Sequence, residues 1–180
     1  TYAQELYYSF LGRLLNTNCK HIVITGGNHD SATFLDAPKS ILKVLNVTVI
    51  GGMQDNPADE VIVLKDTGGE PVALICAVPY LKEGDVRKPQ ADDTADNREG
   101  RLAEGIKSHY EEVLNLAQQM QSDFGNDIPI IAMGHLFTRG GRAVDGDGVR
   151  QLYVGSLQGL DPVIFGTIPD YVALGHLHIA

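Results

Sequence analysis

Three short apolar runs constrain this chain more than anything else in it. Residues 21–27 read HIVITGG, residues 129–135 read PIIAMGH, and residues 171–178 read YVALGHLH. Each is too short for a core helix, is rich in β-branched or small apolar side chains, and empties into glycine. Runs of this kind form strands covered on both faces, as in parallel sheets flanked by helices. The segments between them carry helical periodicity. The expected class is therefore α/β, a layered mixed β-sheet with flanking helices.

The remaining segments fit that frame. Residues 2–16 place Ala3, Leu6, Tyr7, Phe10, Leu11 and Leu14 on one stripe, the pattern of a packed helix. A loop is expected over 28–31, a short helix over 38–45 and a strand over 47–50. Strands at 61–64 and 72–78 flank Asp66-Thr67-Gly68-Gly69, whose turn chemistry predicts an antiparallel hairpin. Residues 82–100 are polar and almost free of large apolar groups, so an exposed, mobile loop is expected there. A long helix should follow from Arg98 or Arg101 to residue 122, with Leu102, Ile106, Tyr110, Val113, Ala117 and Met120 on one face. Gly105 would weaken it by up to ~1 kcal/mol. Residues 137–148 read as an irregular, glycine-rich loop.

Composition excludes several function classes. The 180 residues carry 14 Lys+Arg against 23 Asp+Glu, a net charge of -9, so a general polyanion-binding surface is excluded. A nucleic-acid enzyme is not, because bound cations invert the potential of a site. Cys19 and Cys76 make no disulfide framework; both are read in apolar, strand-like settings, which predicts a reduced, cytoplasmic compartment. No apolar run approaches the ~20 residues of a membrane helix. Gly26-Gly27 opens no dinucleotide fingerprint, there is no P-loop, and Gly155-Ser156-Leu157 lacks the serine-hydrolase elbow. The sequence opens inside a helical pattern and stops just after an apolar strand, which predicts a piece of a longer protein.

The chemistry lies at the strand ends. His29, His135, His176 and His178 each fall within a few residues of the C-terminal end of an expected strand, near a glycine. In open α/β sheets the ligand site forms at those ends. Three distant segments would thus bring together Asn28, His29, Asp30, His135, His176 and His178. Imidazole nitrogens with an amide oxygen suit Mn, Fe, Zn or Ni better than Ca or Mg. The absence of cysteine from the set weighs against a structural zinc or an iron–sulfur centre. The same placement also fits histidines that merely anchor loops. His21 and His109 receive no role.

GGNHDS (residues 26–31), Gly134-His135 and YVALGHLH resemble the third, fourth and fifth signatures of the calcineurin-like metallophosphoesterases. With CKHIVITGGNHDS, LNVTVI, AVPYL and IPDYVALGHLH, the whole chain resembles the SbcD-type nuclease subunits within that superfamily. The likeness corresponds to the later two-thirds of their phosphoesterase domain, without the capping domain or the ATPase-docking helices. It implies a DNA exonuclease/endonuclease of repair and recombination that uses two divalent metal ions, Mn²⁺ above all. Two such ions ~3.5–4 Å apart would clamp a phosphodiester. By the resemblance, Asn28, His135 and His176 hold one ion and His178 the other. His29 faces the scissile phosphate, and Asp30 orients His29. The implied partners are DNA, an SbcC-type coiled-coil ATPase subunit and a second copy in a homodimer. Arg139 and Arg142 are the arginine pair placed to touch a DNA backbone, against a plain surface role. The D-x-H and GD signatures expected ahead of GNHD are not among residues 1–27. One weak metal site or none, and little activity, are therefore expected of these residues alone. Two competing readings are a general metallophosphoesterase acting on small phosphoesters and a noncatalytic scaffold.

Overall fold

The apolar runs do become strands, but they divide between two sheets. The structure, a computed structural model, describes residues 1–86, 94–125, 127–138 and 159–177. Strand β1 (Ile22–Thr25) pairs in parallel with β2 (Val47–Ile50), Ile22 opposite Val47 and Thr25 opposite Ile50. A second sheet has the order β3 (Val61–Lys65), β4 (Pro71–Ala77), β5 (Ile130–His135) and β6 (Tyr171–Gly175). β3 and β4 are antiparallel, as the turn predicts: Asp66 Oδ1 accepts the Gly68 and Glu70 N–H groups at 2.8 and 2.9 Å, and Gly69 takes φ +88°. β4, β5 and β6 run parallel. The sequence predicts a single mixed sheet; the mixed pairing is instead confined to the second of two.

Side-chain alternation along the strands explains the division. On one face of the small sheet, Ile22, Ile24, Val47 and Val49 pack with Leu11, Leu35 and Leu42. Those leucines belong to helices α1 (Tyr2–Leu14), α2 (Ala32–Asp36) and α3 (Lys39–Val44). The other face, through Val23 and Ile50, meets Ile75, Ala77, Ile131 and Met133 of the large sheet. The next residues along the same large-sheet strands, Leu74, Cys76, Ile130 and Ala132, turn the opposite way onto a long helix (Ala95–Asp123). The layers run helix, sheet, sheet, helix. A period of two sends neighbouring residues of one strand to different layers.

Three expectations need correction. The stretch 82–100 is not all loop: α4 occupies Glu83–Val86, and the long helix, α5, begins at Ala95, with Thr94 Oγ1 accepting from the Asn97 N–H at 3.3 Å. Arg98 donates to both oxygens of Glu83, at 2.6 and 2.5 Å, a fork that ties α4 to α5 and that composition alone does not reveal. Residues 87–93 lie outside the described residues. The α1 stripe is only partly packed: Leu11 is buried, whereas Leu6 and Phe10 are 58% and 55% exposed. A two-stranded sheet is narrower than the stripe laid on it. Helix α2 falls just after the loop expected at 28–31, in a segment too short to show a period.

The cysteines also differ. Cys19 is exposed, its thiol donating to the His21 carbonyl at 3.2 Å, and does not sit in an apolar strand. Cys76 is fully buried in β4, and burial, helped by nearby Glu60, pushes its thiol up to about 12. Glu60 is buried as well. Its Oε1 accepts the Gln54 N–H at 2.9 Å and its Oε2 lies 2.8 Å from His109 Nε2, which gives His109 a structural task. Among the described residues, no helix is long and apolar enough to cross a membrane.

Two outcomes follow from this packing. A thiol reagent at neutral pH should label Cys19 and spare Cys76 until the chain is denatured, since the thiolate is the reactive form. At Gly105 an added Cβ would run into the backbone carbonyl of Val86. Gly105→Ala should therefore destabilise by about 1–3 kcal/mol, read as a lower urea midpoint at constant slope. An open helix would give the opposite sign.

Candidate metal centre

The parallel strands β1, β5 and β6 deliver their C-terminal ends to one edge of the two-sheet stack. β1 ends at Thr25 and the chain turns through Gly26-Gly27 to Asn28. From the other sheet, β5 ends on His135, and β6 ends on Gly175 with His176 next. A hydrogen bond from the Tyr80 N–H to the Gly26 carbonyl, 2.8 Å, ties the segment after β4 to the loop after β1. Asn28 is thus carried by one sheet and the two histidines by the other.

They meet there. His135 Nε2 donates to Asn28 Oδ1 at 2.8 Å. The His135 and His176 rings stand edge to face with centroids 5.3 Å apart. His176 is 6% exposed and holds φ +116°, a region that side-chain-bearing L-residues rarely adopt. Phe137 lies beside the His176 ring at 6.4 Å, and Tyr80 beside the His135 ring at 6.3 Å. Burial, with Asp85 and Glu83 nearby, raises the Tyr80 hydroxyl above its ordinary value, so the phenol stays neutral at physiological pH.

The glycines beside the histidines are there for room. A Cβ on Gly27 would fall 2.8 Å from His135 Cε1, and one on Gly175 would fall 3.0 Å from His135 Nδ1. Only bare backbone lets the ring lie between the two loops. His29, next to Asn28 in the chain, is exposed. Asp30 is exposed too, and its Oδ2 accepts the Gly27 N–H at 2.8 Å, which closes the turn that presents Asn28. His178, Arg139 and Arg142 lie outside the described residues. Tyr80 lies in the AVPYL segment that contributes to the resemblance but receives no role from it, and Phe137 is marked only by its position just beyond a strand end.

Among the described residues, no group of three or more His, Cys, Asp or Glu side chains is placed to hold a metal ion. The arrangement has two imidazoles, and its third donor is the Asn28 amide. Two donors at right angles on one cation, each about 2.0–2.2 Å from it, lie about 3 Å apart. Asn28 Oδ1 and His135 Nε2 are 2.8 Å apart through their hydrogen bond, and Nε2 would have to give up that proton to bind a cation. By donor type alone, an amide oxygen with two imidazoles is a mixed O/N set that suits Mn, Fe, Zn or Ni better than Ca or Mg.

Gly27→Ala should move the His135 ring resonances while the amide resonances of α5 stay in place. Unchanged His135 resonances would show that the ring is not held between the two loops.

No family model matches the chain. Along its whole length it is 34% identical to the SbcD subunit of the SbcCD nuclease of Escherichia coli, covering 42% of that protein. The same-named protein of Rhodobacter capsulatus is 31% identical over 182 residues, 98% of the chain and 44% of the relative. That of Bacillus subtilis is 27% identical over 177 residues, 98% of the chain and 42% of the relative. The chain thus spans less than half the length of these relatives. Through this shared sequence it is homologous, at the level of family, to the SbcD-type nuclease subunits.

Proposed function

We propose that the chain is part of the nuclease domain of an SbcD-type subunit, with a calcineurin-like fold, and that the whole protein hydrolyses DNA phosphodiester bonds with two divalent cations, manganese foremost. The observation that carries this reading is the convergence of Asn28, His135 and His176 at one edge of the stack. The homology supports it, and so does the layering of two sheets between helices.

Asn28, His135 and His176 would hold one cation, and His178 would contribute to the other. When bound, the cations supply positive charge against the phosphodiester and activate water for attack. The chain's own residues do the rest. His29, exposed beside Asn28, holds a proton for the departing 3′ oxygen. Asp30 shapes the turn through Gly27, and by the family resemblance it would orient His29. Arg139 and Arg142 contact the DNA backbone. The proposed setting is cytoplasmic, as a homodimer with an SbcC-type ATPase. A domain with net charge -9 can serve DNA because the cations reverse the local field.

Two measurements test this. Titration calorimetry of Mn²⁺ into the metal-free 180-residue chain should show one weak site or none. Two tight sites would contradict the need for the D-x-H and GD ligands, since neutral donors alone do not offset the repulsion of two cations. In the full-length protein, His29→Ala should slow Mn²⁺-dependent digestion of a linear duplex by ~10²-fold or more with metal content retained. His176→Ala should lose both. If His29→Ala loses its metal as completely as His176→Ala does, the split between ligand and catalytic residue is wrong.

A further inference from the structure

We propose that Tyr80 is a positioning residue: its ring holds the His135 imidazole in the orientation that meets Asn28. The inference rests on the metal-centre reading for its consequence, but its structural content concerns the ring alone.

The His135 imidazole has neighbours on several sides. A Cβ added at Gly27 would lie 2.8 Å from Cε1 and one at Gly175 3.0 Å from Nδ1, so both loops run close beside the ring. His176 stands across from it at 5.3 Å, with the rings inclined at 71°. Tyr80 stands at 6.3 Å and 87°, within the range of edge-to-face aromatic pairs. Gly27, Gly175 and His176 follow from the ends of β1 and β6. Tyr80 comes instead from the segment after β4.

Tyr80 suits the task because its own position is fixed. Its N–H is bonded to the Gly26 carbonyl, two residues ahead of Asn28. Pro79 and Val78, immediately before it, are fully buried. The same residue therefore touches the loop that presents Asn28 and the ring that Asn28 meets. A small aliphatic side chain in its place would keep the backbone bond and open space beside the imidazole. The ring could then turn away from Asn28, and a cation would lose two aligned donors together. Residues that orient a ligating histidine typically change metal affinity 10–100-fold.

The test compares Tyr80→Leu and Tyr80→Phe in the 180-residue chain, labelled at histidine and first freed of metal. Tyr80→Leu should shift the His135 ring resonances and raise the Mn²⁺ dissociation constant about 10-fold. Tyr80→Phe should restore both, since it keeps the aromatic edge. If Tyr80→Leu does not give a folded amide spectrum, Tyr80→Met replaces it with a larger side chain and the same expected shift. An unmoved His135 signal in the aliphatic variant overturns the proposal. So does a Tyr80→Phe that behaves like the aliphatic variant, for then the hydroxyl and not the ring is responsible. If the parent chain binds no Mn²⁺, one of the two outcomes expected of these residues alone, the ring resonances decide the role of Tyr80 by themselves.

Discussion

Everything at the candidate site depends on one thin apolar layer between two sheets. Ile50 and Val23 of the small sheet meet Ile75, Ala77, Ile131 and Met133 of the large one. Asn28 is carried by the first sheet, and His135 and His176 by the second. Among the described residues, no strand pairing joins β1 to β5 or β6. The 2.8 Å approach of Asn28 to His135 therefore reports on packing of the sheets, with the Tyr80–Gly26 hydrogen bond as a local stitch. Interiors packed to crystal-like density transmit small shifts, so a larger residue in this layer would be felt at the site.

The outer faces have a different job. On the large sheet, α5 buries Leu102, Ile106, Tyr110, Val113, Leu114 and Ala117 against Leu74, Cys76, Ile130 and Ala132. That side of the fold also contains a buried carboxylate, Glu60, satisfied by Gln54 and His109. Removing one partner of such a buried pair is typically worth several kcal/mol in stability. The small sheet is covered less completely, and α1 leaves Leu6 and Phe10 in solvent. The two outer layers thus differ in kind. One buries most of its helix stripe, and the other leaves much of its stripe exposed.

Among the described residues, the candidate site offers no carboxylate donor of its own, only an amide oxygen and two imidazoles. Carboxylates would attract a cation from a distance; these groups favour it only through geometry. That explains why so many neighbouring features serve position. The bare backbone of Gly27 and Gly175 makes room, Asp30 closes the Asn28 turn, and His176 accepts a backbone conformation that side chains normally avoid. Strain of that kind persists only where surrounding contacts over-determine it.

Much of this is legible from residue order alone. β-branched runs ending in glycine mark β1, β5 and β6, and the Asp66 turn marks the hairpin, because both signals are local: period-two burial and positive-φ chemistry act within a few residues. The strand-end positions of Asn28, His135 and His176 are legible for the same reason. What residue order could not determine is set by contacts between segments far apart in the chain. The separation into two sheets depends on which of two apolar faces each strand turns toward its neighbour, and fully buried strands are apolar on both. The Arg98–Glu83 fork, the exposure of Cys19, the collision awaiting any side chain at Gly105 and the place of Tyr80 beside His135 are likewise products of distance in space. Local propensity proposed the strands and their ends; only tertiary packing decided which ends would meet.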